Sequence, residues 1–136
     1  LKIAQNTKED EITRINDLQK YIIDELMKID DVVLNGSIQD RVVNNINVSF
    51  LGVEGESLIL RLNEEGIYLS TGSACSSKDL KPSNVIKSIG GSDLQAHCSV
   101  RITIGRFNTK EDIEFAVQKI KEHVNFLRQI SSIRVK

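Results

Sequence analysis

The sequence has no tryptophan, a single proline, two cysteines, and aromatic residues at only 4% of its 136 positions. With so few rings the core has to be built from aliphatic side chains. Cys75 and Cys98 stand twenty-three positions apart, which rules out a disulfide framework and a paired zinc knuckle and fits a reducing, cytoplasmic setting. A large charge of one sign is also missing. Eighteen basic residues against nineteen acidic ones leave a formal charge of -1, without the excess of cations expected of a chain that neutralises many phosphates. Nucleic acid is therefore disfavoured as a ligand. No apolar run approaches the roughly twenty residues of a membrane span, and the N-terminus lacks a basic start followed by an apolar stretch. The chain begins at Leu1 rather than methionine, which raises the expectation that it belongs to something longer.

The apolar content is 40% and the charged content 27%, the composition of an ordinary globular protein of one domain. From Thr7 to about Ile29, Ile12, Ile15, Leu18, Ile22, Leu26 and Ile29 recur at steps of three and four, predicting an amphipathic helix with a Thr7 and Asp10 capping box. Val32 to Leu34 is a short strand candidate closed by the turn pair Asn35 and Gly36. Ile46, Val48 and Phe50 alternate with Asn45, Asn47 and Ser49, the period of a half-buried strand. A second helix is expected from Gly55 to Gly66, with Leu58, Ile59 and Leu62 turned inward. Ile67 to Leu69 is read as a very short strand, and Pro82, followed by Val85, Ile86 and Ile89, opens a short helix ending at Gly90 and Gly91. Val100, Ile102 and Ile104 alternate with Ser99, Arg101 and Thr103, so Arg101 points away from the apolar face. A long helix then opens at Asn108 or Thr109 and runs past Leu127. The order predicts an α+β fold in which helices cover one face of a small sheet.

Between Ser70 and Lys81 the side chains are small and polar with no apolar period, and Cys75 sits in the middle of this segment. A loop cysteine among hydroxyls and a nearby glycine is placed as a reactive thiol would be, although an exposed cysteine without a role is the plain alternative, and no neighbouring His or Lys supplies activation. The run Gly66-Ile67-Tyr68-Leu69-Ser70-Thr71-Gly72-Ser73-Ala74-Cys75-Ser76-Ser77 resembles the active-site loop of the NifS/IscS-type cysteine desulfurases. The likeness extends upstream through Arg41 to Phe50 and Gly52 to Leu58. Downstream it includes Pro82 to Val85, Ser99 to Arg106, and Asn108 with the last helix, so that it covers nearly the whole chain.

The resemblance implies the C-terminal small domain of a fold-type I, pyridoxal-phosphate-dependent enzyme, spanning residues 1-136 with 1-30 as a leading helix. Such enzymes take sulfur from L-cysteine, leaving L-alanine and a persulfide. By the resemblance Cys75 is the nucleophile and persulfide carrier, and Arg101 holds the α-carboxylate of the substrate with its planar fork. Without the family match, Arg101 reads as a surface arginine on a solvated face. The family's large domain, with its cofactor lysine, has no counterpart in the sequence, so the isolated chain is not expected to catalyse the reaction unaided. The resemblance further implies a sulfur acceptor or iron-sulfur scaffold protein as partner and a homodimer for the whole enzyme. The alternative is a stand-alone, non-catalytic domain that relays sulfur or docks a partner.

Three further features have plainer readings. His97 beside Cys98 is a poor zinc site without a second pair of ligands, and Cys98 reads as a core or near-core thiol. His123 borders the apolar stripe of the last helix as a partly packed side chain. The cluster of Asn44, Asn45 and Asn47 reads either as a polar ligand site or, more plainly, as hydrogen-bonding residues at a strand edge.

Overall fold

A computed structural model describes residues 8-71 and 83-131. The apolar stripe of the first segment forms helix α1 (Lys8–Leu26), which buries Ile15, Leu18, Ile22, Ile23 and Leu26. Ile12 does not join the stripe: it is 42% exposed, because the buried face has shifted toward Gln19 and Ile23. Strand β1 (Val32–Leu34) and strand β2 (Asn45–Phe50) follow. After helix α2 (Gly55–Glu64) and the short helices α3 (Asn84–Ser88) and α4 (Asp93–His97), strand β3 (Ser99–Thr103) and the long helix α5 (Lys110–Ile130) complete the described chain.

The three strands form one antiparallel sheet in the order β1-β2-β3. In β2 the expected alternation holds, and Ile46, Val48 and Phe50 turn to one face together with Val100 and Ile102 of β3. Helices α1, α2 and α5 cover that face and bring Leu58, Leu62, Ile113, Val117, Ile120 and Val124 into a single cluster with it. Each fully buried side chain of this size stabilises the fold by roughly 1.5–3 kcal/mol relative to exposure. The core is aliphatic around one ring, Phe50. The other sheet face is polar, with Asn45, Arg101 and Thr103 exposed and Asn47 half-buried.

Polar side chains then fix the helices against the sheet edges. Gln19 is buried, and its Nε2 donates to the carbonyls of Val42 and Asn45 at 2.8 and 3.1 Å, satisfying the entry to β2. Arg14 spreads its fork over the turn after β3, donating to the carbonyls of Asn108, Arg106 and Gly105 at 2.8, 3.1 and 3.3 Å. Helix α5 starts at a complete capping box, in which the Thr109 hydroxyl accepts from the Asp112 amide and the Asp112 carboxylate accepts from the Thr109 amide. At its far end Arg128 donates to the carbonyls of Leu51 and Asp31.

Several elements differ from the sequence expectation. Ile67 to Leu69 do not form a strand; the segment diverges from β3 and touches it only through an isolated bridge between Ser70 and Arg101. A cavity of about 500 Å³ separates the two, lined by Ile67, Tyr68, Leu69, Thr103 and Phe115 among others. Helix α3 does form where it is expected, with Ile86 buried and Val85 and Ile89 68% and 55% exposed. Helix α4 was not anticipated, although Ser92 caps it by accepting from the Gln95 amide. Thr7, the proposed cap of α1, and Pro82 lie outside the described residues.

Candidate functional site

Arg101 sits in the middle of β3 with its side chain exposed on the polar face. Its backbone amide and carbonyl point away from β2 toward Ser70, with Arg101 N–H donating to Ser70 C=O at 2.6 Å and Ser70 N–H donating to Arg101 C=O at 3.2 Å. The chain that leads on to Thr71 is thereby pinned beside Arg101. Gly55, the first residue of α2, packs against the same region. A Cβ there would meet the Ser99 carbonyl at 2.7 Å and Thr71 Cγ2 at 3.2 Å, so the close approach requires glycine. Among the described residues the Arg101 guanidinium has no hydrogen-bond or ion-pair partner, which leaves a planar cation available to a carboxylate. Cys75 lies outside the described residues.

Beside Arg101 the sheet carries a hydrogen-bonded polar cluster that the sequence reading did not assemble. Asn35 Nδ2 donates to Asn47 Oδ1 at 2.6 Å and to Ser49 Oγ at 2.8 Å. Gln95 Nε2 donates to Asn35 Oδ1, and the Ser49 hydroxyl donates to the Gln95 carbonyl. Asn35 and Ser49 are buried, so these bonds replace water that folding removes. The Asn35-Gly36 pair reads in sequence as a turn, and the chain bends at Gly36 with a φ of 83°. Nothing local announces that the Asn35 amide reaches across to β2, and Gln95 comes from the unforeseen α4.

The remaining candidates are accounted for by packing. Cys98 is fully buried, and loss of solvation pushes its thiol up from the ordinary value against the opposing pull of the Gly52 and Val53 amides. It is kept as a neutral thiol, poorly suited to attack. His97 is exposed while Cys98 is buried, so the adjacent pair does not converge on one ion. His123 Nδ1 accepts from Arg61 Nε at 3.2 Å, while its buried Nε2 has no hydrogen bond among the described residues and lies 3.6 Å from Glu65. Of the asparagines, Asn44 accepts through its backbone carbonyl from the Ile104 amide, and Asn47, in the central strand rather than at an edge, accepts from Asn35 through Oδ1.

The family described as aminotransferase class-V matches residues 1–115. The chain belongs to that family. Among its curated relatives, the cysteine desulfurase IscS of Methylobacillus flagellatus is 41% identical over 132 residues, covering 97% of this chain and 32% of the relative. The cysteine desulfurase IscS of Dictyoglomus turgidum is 44% identical over 132 residues, covering 96% and 34%. The chain thus spans about a third of the length of the curated relatives it matches. A solved NifS-like protein superposes with a TM-score of 0.78 at 23% identity, over 91% of this chain and 31% of that one, a likeness of fold. The small sheet covered by helices expected from the sequence is the fold of that segment.

The described residues do not fit pyridoxal phosphate, the cofactor of this family. A lysine that forms an imine with it needs burial and a lowered pKa. None of the described lysines is buried, and the half-buried Lys119 and Lys121 are both engaged by carboxylates, Lys119 by Glu65 and Glu122 and Lys121 by Glu25. Glu122 holds Lys119 above its ordinary value, the opposite of what imine formation requires. No helix among the described residues is long and apolar enough to cross a membrane.

Proposed function

We propose that this chain is the C-terminal small domain of a NifS/IscS-type cysteine desulfurase, spanning residues 1-136 with 1-30 as the leading helix. It contributes Arg101 and Cys75 to a site completed by a pyridoxal-phosphate domain outside this chain. The observation that carries the reading is the backbone bridge between Ser70 and Arg101. Five residue steps lead from Ser70 to Cys75 and span at most ~18 Å, so a thiol at position 75 works within reach of a substrate held at Arg101. The guanidinium, unpartnered among the described residues, supplies the carboxylate clamp.

In the overall reaction the Cys75 thiolate attacks the sulfur of L-cysteine. A sulfur–sulfur bond forms as the substrate carbon–sulfur bond breaks, and the electron pair left on carbon takes up a proton, giving L-alanine and a Cys75 persulfide. Cys98, buried and neutral, plays no part in this transfer. A soluble sulfur acceptor, such as a scaffold for iron-sulfur clusters, would collect the sulfur from a homodimeric enzyme in the cytoplasm.

The test is Arg101→Lys in the full-length, cofactor-loaded enzyme. Lysine keeps the charge and loses the bidentate fork, which is worth about 1.5–3 kcal/mol to a carboxylate, or roughly a ten- to hundredfold fall in kcat/KM for cysteine. Since the side chain is exposed, thermal stability should not change. Normal turnover by this variant would remove Arg101 from the role.

A further inference from the structure

Asn47 stands opposite Arg101 in the antiparallel register of β2 and β3. The Arg101 amide and carbonyl are committed outward to Ser70, and the Asn47 carbonyl is committed to the Asn35 amide on β1's side at 2.9 Å. The pair is therefore of the non-hydrogen-bonded kind, in which the two side chains rise from Cβ atoms only ~4.5–5.5 Å apart on the same sheet face. That face is the polar one.

The polarity of the Asn47 amide is set by a chain of donors. The Gln95 carbonyl can only accept, so the Ser49 hydroxyl must donate to it and must itself accept from Asn35 Nδ2. The second hydrogen of Asn35 Nδ2 then goes to Asn47, which has to present Oδ1 toward Asn35. The Nδ2 group of Asn47 consequently faces away from the cluster. Among the described residues it meets no acceptor.

An oriented amide donor, unpaired among the described residues, thus stands next to a guanidinium that is likewise unpaired among them. We infer that Asn47 is a second donor to the substrate carboxylate, gripping it together with Arg101, and that Asn35 is the positioning residue that keeps the Asn47 amide turned the right way. This rests on the reading of Arg101 as the carboxylate clamp. The arrangement selects for α-carboxylates over simple thiol amines, since two donors are left without a partner when the carboxylate is missing.

The experiment measures binding of L-cysteine and of cysteamine, the same molecule without its carboxylate, to full-length holoprotein carrying Cys75→Ser, by titration calorimetry. In that background Asn47→Asp retains the acceptor that Asn35 needs, so the fold is kept, but it replaces the donor with a negative charge. Asn47→Ala removes the donor together with the acceptor that Asn35 uses, and adds no charge. Both should weaken L-cysteine binding roughly tenfold or more while leaving cysteamine unchanged. Arg101→Ala should collapse the preference for cysteine in the same way. If Arg101→Ala does so and both Asn47 variants retain the original preference, or weaken both ligands equally, the role of Asn47 is overturned and the clamp stands. If Arg101→Ala leaves the preference intact, the clamp itself is wrong and this inference falls with it.

Discussion

Replacing Gly55 with alanine tests whether the packing of α2 against the loop-bearing edge of the sheet is as tight as the structure has it. The added Cβ would lie 2.7 Å from the Ser99 carbonyl, 3.2 Å from Thr71 Cγ2 and 3.3 Å from the His97 carbonyl. Two of these three neighbours are backbone oxygens, which cannot rotate away as a side chain would. Alanine would otherwise gain up to ~1 kcal/mol over glycine inside a helix, and less in its first turn. Overpacking a close-packed site costs about 1–3 kcal/mol. The clash should win, leaving a net loss of about 1–2 kcal/mol and, for a chain of this size, a fall in Tm of roughly 3–10 °C. Urea unfolding of the purified chain would show a lower midpoint with an unchanged slope. A midpoint equal to or above that of the wild type would mean that α2 does not press on Ser99 and Thr71, and the close approach of the loop to β3 would lose its support.

Other consequences are testable on the same preparation. Thr109→Ala removes half of the capping box of α5 and should cost about 1 kcal/mol by urea unfolding, whereas Thr109→Ser should cost little. Glu25, held by hydrogen bonds from Lys121 and Lys28, has its carboxyl lowered from 4.5 to about 2. Because the folded value is the lower one, this link between α1 and α5 is fully present above about pH 4.5 and is lost as the pH falls toward 2. Glu25→Gln should flatten the acid limb of the stability curve over that window, and an unaltered limb would remove Glu25 from the linkage.

Periodicity made the framework legible because the buried positions are almost all aliphatic. Ile46, Val48 and Phe50 alternate without interruption, and the stripe from Ile113 to Val124 has no competing polar residue. The α+β arrangement with helices on one face follows from those patterns. The reading failed where tertiary contact decides. Ile67 to Leu69 has strand-forming side chains, yet pairs with β3 only at Ser70 because the segment splays away over a cavity beside α5. In α1 the buried Gln19 lies on the core side because two carbonyls of the β1–β2 connection need its amide, a demand made 23 and 26 residues away.

For the site, the outward direction of Arg101 could be read from alternation alone. Its role could not, since an exposed arginine opposite an apolar face is ordinary, and the resemblance to a known loop was needed to single it out. The cluster of Asn35, Asn47, Ser49 and Gln95 escaped because its members lie up to 60 residues apart and meet only once the sheet and α4 are assembled.

The most direct measurement of the central claim is peptide mass spectrometry of the full-length, cofactor-loaded enzyme after a single turnover with L-cysteine in the absence of reductant. The account predicts one added sulfur atom, 32 Da by the mass of sulfur, on the peptide containing Cys75, with Cys98 unmodified because its thiol is buried and kept neutral. The Cys75→Ser variant should bind cysteine and carry no added sulfur, and Cys98→Ser should behave as the wild type. Sulfur found on Cys98 with Cys75 unmodified would contradict the account.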